Sequence, residues 1–267
     1  MVAAAETPRW GSEPVDLAEH SLPALKARFL LDHVPEAGSL LEVGSGDGKI
    51  LRTFAQHRPQ LVLSGCDVRD WPMREPSIDF RRVTSKDLPY DAGSFDAVVI
   101  SDVLEHVDDP EHLLVELARV LRPGGRFVAF VPLEGGRWSA YALYRALLGA
   151  DLYKRTKEHV QAFTFGDVRR MLATDFDLVD LEHCYHPLGQ FMDAMFFAVA
   201  KLPRIQRFWW RENRYYAGTK AESRGLAGTL NRLLVLGNAI AYTESHLLAR
   251  CGLGAAGILF EAHRQGG

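Results

Sequence analysis

Short, almost unbroken apolar runs recur along the first half of the chain: Leu40 to Val43, Leu61 to Cys66, Phe95 to Ile100 and Arg126 to Val131. Runs of this length read as strands buried on both faces. Ile78 to Val83 reads as a short further strand. Between them the apolar positions change to helical spacing. Val15 to Val34 predicts an entry helix with Leu22, Leu25, Phe29 and Leu30 on one face; Pro23 inside it is an alternative start. Gly48 to His57 predicts the next helix. Pro110, preceded by Asp108 and Asp109, opens a third that carries Leu113, Leu114, Leu117, Val120 and Leu121. Pro123-Gly124-Gly125 is read as its stop. Strand and helix alternate, which predicts an α/β doubly wound parallel sheet with helices on both faces.

Beyond Val131 the rhythm changes. Trp138 to Leu148 and Thr164 to Ala173 read as helices, the latter with Asp167 in its first turn. Phe176 to Cys184 alternates like a half-exposed strand. His186 to about Arg250 is mostly helical in pattern, and Ala255 to Ala262 reads as a last strand. A strand some seventy residues from its expected partner implies an insertion. The predicted organisation is an N-terminal helical segment (1–36), a core (37–185), a helical cap insertion (186–253) and a final core strand with tail (254–267).

Composition changes this picture little. The 267 residues are 47% hydrophobic and 24% charged, ordinary for a globular protein. A net charge of −3 argues against wholesale nucleic-acid binding. Cys66, Cys184 and Cys251 are far apart and odd in number, so they suggest neither a disulfide framework nor a metal cluster. The first ten residues lack the pattern of a signal peptide, and the apolar stretch Ala194 to Ala200 is too short to span a bilayer. The expectation is a cytoplasmic protein.

The chemistry concentrates at Leu40 to Gly48, L-L-E-V-G-S-G-D-G. An apolar run ends in an acid and breaks into three glycines, as where a buried strand turns and lets a ligand lie on bare backbone. The second run ends in Asp67, nineteen residues past Gly48, where a ribose would offer its hydroxyls. Gly44-x-Gly46-x-Gly48 does not have the G-x-G-x-x-G spacing of a dinucleotide-binding dehydrogenase.

With G-C-D-V, D-L-P-Y-D-A-G-S-F-D-A-V-V-I-S-D-V-L-E-H-V-D-D-P and L-A-R-V-L-R-P-G-G-R-F-V-A-F-V-P in the same order, the chain resembles the S-adenosylmethionine-dependent methyltransferases of Rossmann-like fold. The resemblance is to the ubiquinone and menaquinone biosynthesis and small-molecule members, over roughly Val34 to Val131. It implies a seven-stranded sheet whose last strand is antiparallel. It also implies S-adenosyl-L-methionine as cofactor. Glu42 would reach its amino acid end, and Gly44, Ser45, Gly46 and Gly48 would wrap the methionine and ribose. Asp67 would accept from both ribose hydroxyls, and Val68 would pack on the adenine. Ser101 and Asp102 would lie beside the methionine, with Asp87 and Leu88 as adenine contacts. This last region, T-S-K-D-L-P-Y, departs from the family pattern, which places an acid earlier.

Two histidines are candidate catalytic bases. His106 follows the Phe95–Ile100 strand, and His159 precedes the Thr164 helix. Packing or capping is the alternative reading for each. The H-C-Y-H string at His183–His186 lacks further ligands, and no metal is expected. In Pro203 to Tyr216, Arg204, Arg207, Arg211 and Arg214 form a basic stripe with interleaved aromatics. It reads as a solvated face, a peripheral membrane contact or a phosphate-binding surface. The apolar stripes in Leu188–Leu202 and Leu226–Leu248 read as packed cap helices or as the wall of a greasy pocket. The combined expectation is methyl transfer by in-line displacement to a small or lipid-like hydrophobic acceptor. An RNA methyltransferase and a non-catalytic cofactor-binding partner protein are the alternatives.

Overall fold

The computed structural model describes residues 14–70, 75, 77–136, 139–142, 146, 159–192 and 226–266. Among these, seven strands form one sheet in the order β3-β2-β1-β4-β5-β7-β6. The strands are β1 (Ala37–Val43), β2 (Gln60–Asp67), β3 (Asp79–Arg82), β4 (Phe95–Ser101), β5 (Leu121–Pro132), β6 (Phe176–Cys184) and β7 (Gly257–Arg264). The first five are parallel, and β7 is inserted antiparallel between β5 and β6. The chain winds outward from β1 through β2 to β3, then returns to β4 and β5 on the other side of β1. That reversal puts a crevice between the carboxyl ends of β1 and β4.

Period-two alternation divides the core. Leu41, Val43, Val98, Ile100, Phe127, Ala129, Ile258 and Phe260 face helices α3 (Pro110–Val120) and α4 (Phe165–Leu172). Leu40, Leu63, Ala97, Val99, Val128, Phe130 and Leu259 face α1 (Leu22–His33) and α2 (Lys49–His57). Each buried Leu, Ile, Val or Phe contributes about 1.5–3 kcal/mol of transfer free energy. A one-residue slip of any central strand would exchange the two faces.

Two elements differ from expectation. The entry helix starts at Leu22, not Val15, because Pro23 occupies its first turn, where the missing amide costs nothing. Ser21 caps it, accepting from Ala24 N at 3.3 Å. Val15 N instead donates to Thr53 Oγ1 at 2.9 Å on α2. Pro123-Gly124-Gly125 does not separate helix from strand, because β5 begins at Leu121 directly after α3. Leu121 pairs with Phe95, and a register shift before Ala97 absorbs the Pro-Gly-Gly as a bulge. Gly124 takes φ +73°, which favours glycine.

Between β6 and β7 lies α5 (Leu226–Leu247). Arg28 of α1 donates to the Tyr242 hydroxyl at 2.5 Å, and Tyr185 N donates to Ser245 Oγ at 3.2 Å. These contacts hold α5 against α1 and the end of β6. The Arg204–Arg214 stripe and most of Trp138–Leu148 lie outside the described residues. No helix among those described is long and apolar enough to cross a membrane.

Candidate functional site

The loop after β1 folds back onto the end of β2. Gly44 N and Ser45 N both donate to Cys66 O, at 2.8 and 3.1 Å, and Gly48 N closes a turn on Ser45 O at 2.8 Å. Gly44 has φ +74°, and a Cβ there would lie 2.5 Å from Val103 Cγ2, so both conformation and space require glycine. Gly46 also has positive φ, but its surroundings are open. Its amide donates to Asp67 Oδ2 at 2.9 Å, tying the glycine loop to the tip of β2. Glu42 is buried beneath this loop with Oε2 unpartnered, and Ser45 Oγ is likewise buried without a hydrogen bond. Burial pushes the Glu42 carboxyl well above the usual carboxylate range, and the nearby Asp47 and Asp67 add to the rise.

At the tip of β4, Ser101 Oγ donates to Asp102 Oδ2 at 2.9 Å. Asp102 has φ +57°, an unusual conformation for a side-chain-bearing residue. Lys26 of α1 reaches across 76 positions of chain to pair with it at 2.5 Å, its ammonium 4.1 Å from the Phe130 ring centre. Val68 stands exposed beside Asp67. Asp87 Oδ1 meets His112 Nε2 at 3.0 Å, and Leu88 is buried with its amide donating to Glu116 Oε2 at 2.8 Å.

The two expected histidines come together: His106 and His159 lie edge to face with ring centres 4.8 Å apart. His106 belongs to a 3-10 turn, Leu104–His106, just past β4. Val160 N and Gln161 N both donate to Glu105 O, at 2.8 and 3.0 Å, which pins the His159 segment to that turn. Gly135 N donates to Phe163 O at 2.8 Å, joining the loop after β5 to the same segment. That loop supplies Glu134, whose buried carboxylate meets His159 Nδ1 at 2.9 Å. Glu105 is buried beside His106, its Oε1 3.9 Å from His106 Nε2. Burial, reinforced by the charge of Asp102, pushes the Glu105 carboxyl up to about 8.

Glu105, Glu134 and Lys26 were not among the expected site residues. The rule that singled out Asp67, an acid at the carboxyl end of a parallel strand, also fits Glu134 in P-L-E-G-G after β5. Glu105 adjoins His106 in sequence. Lys26 carries no local signal, because only the packing of α1 on the sheet brings it to Asp102.

Residues 41–129 match the family model described as a methyltransferase domain. The chain is 27% identical over 153 residues to a ubiquinone biosynthesis O-methyltransferase of Stutzerimonas stutzeri, covering 53% of this chain and 63% of that one. It thus spans less than two thirds of that relative's length. Among solved structures, a geranyl diphosphate C-methyltransferase from Streptomyces coelicolor superposes with TM-score 0.51 at 15% identity, covering 91% of this chain and 76% of that one. The [4+2]-cyclase SpnF superposes at 0.54 and 19%, covering 90% and 80%. Likeness at such identities establishes the fold alone. Fold and family match together describe a methyltransferase domain, matched over residues 41–129, within a Rossmann-like sheet. The matching segment runs from β1 into β5.

Proposed function

We propose that the protein is an enzyme that binds S-adenosylmethionine and methylates a small or lipid-like hydrophobic acceptor. The observation that carries this reading is the Gly46–Asp67 bond above the buried Glu42, whose Oε2 has no partner. Such a cradle suits a nucleoside with a cationic amino acid tail. Asp67 and the glycine loop would hold the ribose, Val68 the adenine, and Glu42 with Ser45 the amino acid end. When bound, this cofactor supplies a methyl group already activated on a sulfonium. The chain must then align an acceptor for in-line displacement and manage its proton.

His159 suits the second task. Glu134 fixes the ring through Nδ1, leaving Nε2 to accept a proton from an O–H or N–H acceptor. The hydrophobic acceptor is supported by the names of the quinone and geranyl diphosphate enzymes. Exposed Leu188, Phe191, Leu233 and Leu236 add apolar surface in the region read as a cap. Membrane contact through Arg204–Arg214 remains a separate proposal, tested by vesicle flotation with that stripe neutralised. All three cysteines are free, in keeping with the proposed cytoplasmic location.

Calorimetry is expected to show one site for S-adenosylmethionine and one for S-adenosylhomocysteine. Asp67→Asn should weaken both by roughly tenfold or more, the scale of a lost charge-assisted hydrogen bond. No heat of binding by folded protein would overturn the proposal. Transfer of labelled methyl to a panel of phenolic and prenylated acceptors then tests catalysis, and His159→Gln should abolish it while sparing cofactor binding.

A further inference from the structure

Glu105, His106 and His159 each place one ligand-type atom within 4.8 Å of the other two. The set mixes one carboxylate with two imidazoles, the donor chemistry that suits zinc and its first-row neighbours. A second observation is independent of that spacing. The Glu105 side chain is 1% exposed, and neither carboxylate oxygen has a hydrogen-bond partner. A buried carboxylate without donors is costly unless a positive group compensates it. Lys26, the cation whose charge reaches Glu105, is already paired with Asp102.

The supporting contacts match those of a metal centre. Glu134 holds His159 through Nδ1, which leaves Nε2 as the ligand atom and fixes its direction. The two amides on Glu105 O hold the segment bearing His159 against the turn bearing the other two ligands. The 3.9 Å between Glu105 Oε1 and His106 Nε2, and the 4.8 Å within which all three atoms lie, must contract for them to share an ion with bonds of about 2.0–2.2 Å. Three protein ligands, with His106 partly exposed, leave a coordination position open.

We infer that Glu105, His106 and His159 bind one divalent transition-metal ion, with zinc as the best-fitting species, at the rim of the cofactor crevice. The site stands apart from the cofactor reading, since it shares no residue with the Gly44–Asp67 cradle. It does use His159 Nε2, so ion binding and proton acceptance at that atom exclude each other.

The test uses untagged, full-length protein stripped with a chelator and titrated with Zn2+ against a competing chelator, with Co2+ absorption reporting the ligand set. One equivalent is expected. Glu105→Gln, His106→Asn and His159→Asn should each weaken Zn2+ binding by more than tenfold, and Glu134→Gln by about tenfold. His106 is partly exposed, so its variant keeps the test interpretable should a buried one unfold. Heat of S-adenosylhomocysteine binding, measured on the same samples, reports the cofactor cradle separately. Absence of stoichiometric Zn2+ uptake, or uptake that survives the His106 and His159 substitutions, would overturn the inference.

Discussion

Glu42 shows function and stability opposed in a single side chain. Its carboxyl is buried, lacks a partner at Oε2 and is pushed well above the usual range. A folded-state pKa raised above the unfolded one means the folded protein favours the neutral acid. The penalty is absent at pH below about 4.3 and grows as pH rises toward the folded-state value. Glu42→Gln should therefore raise the thermal midpoint of the cofactor-free protein at neutral pH by a few degrees, a gain that vanishes in acid. The same change should weaken S-adenosylmethionine binding, because the cationic end of that ligand would lose its counter-charge. Unfolding scans from pH 4 to 8, with calorimetry alongside, check both halves. Glu42 was legible from sequence as an acid before a glycine turn. Its missing partner was not, because burial depends on the strands to either side.

The elements show where sequence pattern suffices and where it fails. Phe176–Cys184 forms a strand at the expected bounds, but its burial does not alternate: Leu178 and Val179 are both exposed, and a register shift against β7 falls between Leu178 and Asp180. Gly48–His57 and Thr164–Ala173 differ from their helices only by capping positions. The Val15 start and the Pro-Gly-Gly stop failed for one reason. In both, proline and glycine were weighed without knowing what the neighbouring chain pairs with. The approach to α3 depends on such pairing. Glu116 accepts from Leu88 N and holds Arg119, which in turn donates to Leu88 O and Tyr90 O. Arg119 holds the Glu116 carboxyl below its ordinary range. Its contribution is thus complete above the unfolded carboxylate pKa and is lost as pH falls through the lower folded one. Glu116→Gln should lower the midpoint at pH 7 and flatten its decline in acid, read by unfolding scans between pH 3 and 7.

Across the whole molecule, the sheet gathers Glu42, Asp67, Asp102, Glu105 and Glu134 at the carboxyl ends of four parallel strands. The topology explains why distant acids meet; the parallel sheet was legible from the alternating pattern, and its antiparallel last strand from the family resemblance. The counter-charge was not, because Lys26 arrives on a helix that crosses the opposite layer. Removing it should make the crevice more negative. Lys26→Met is expected to favour the sulfonium cofactor over its uncharged thioether product by roughly two- to fivefold, the scale of a partly exposed ion pair. Paired calorimetry at low and high salt measures that ratio, and the preference should shrink as salt rises.

The carbonyl of Glu105 receives two amides from the segment after His159 and so couples that segment to the turn bearing His106. Both imidazoles ride on that one clamp, so a backbone change at Glu105 would disturb the two rings together.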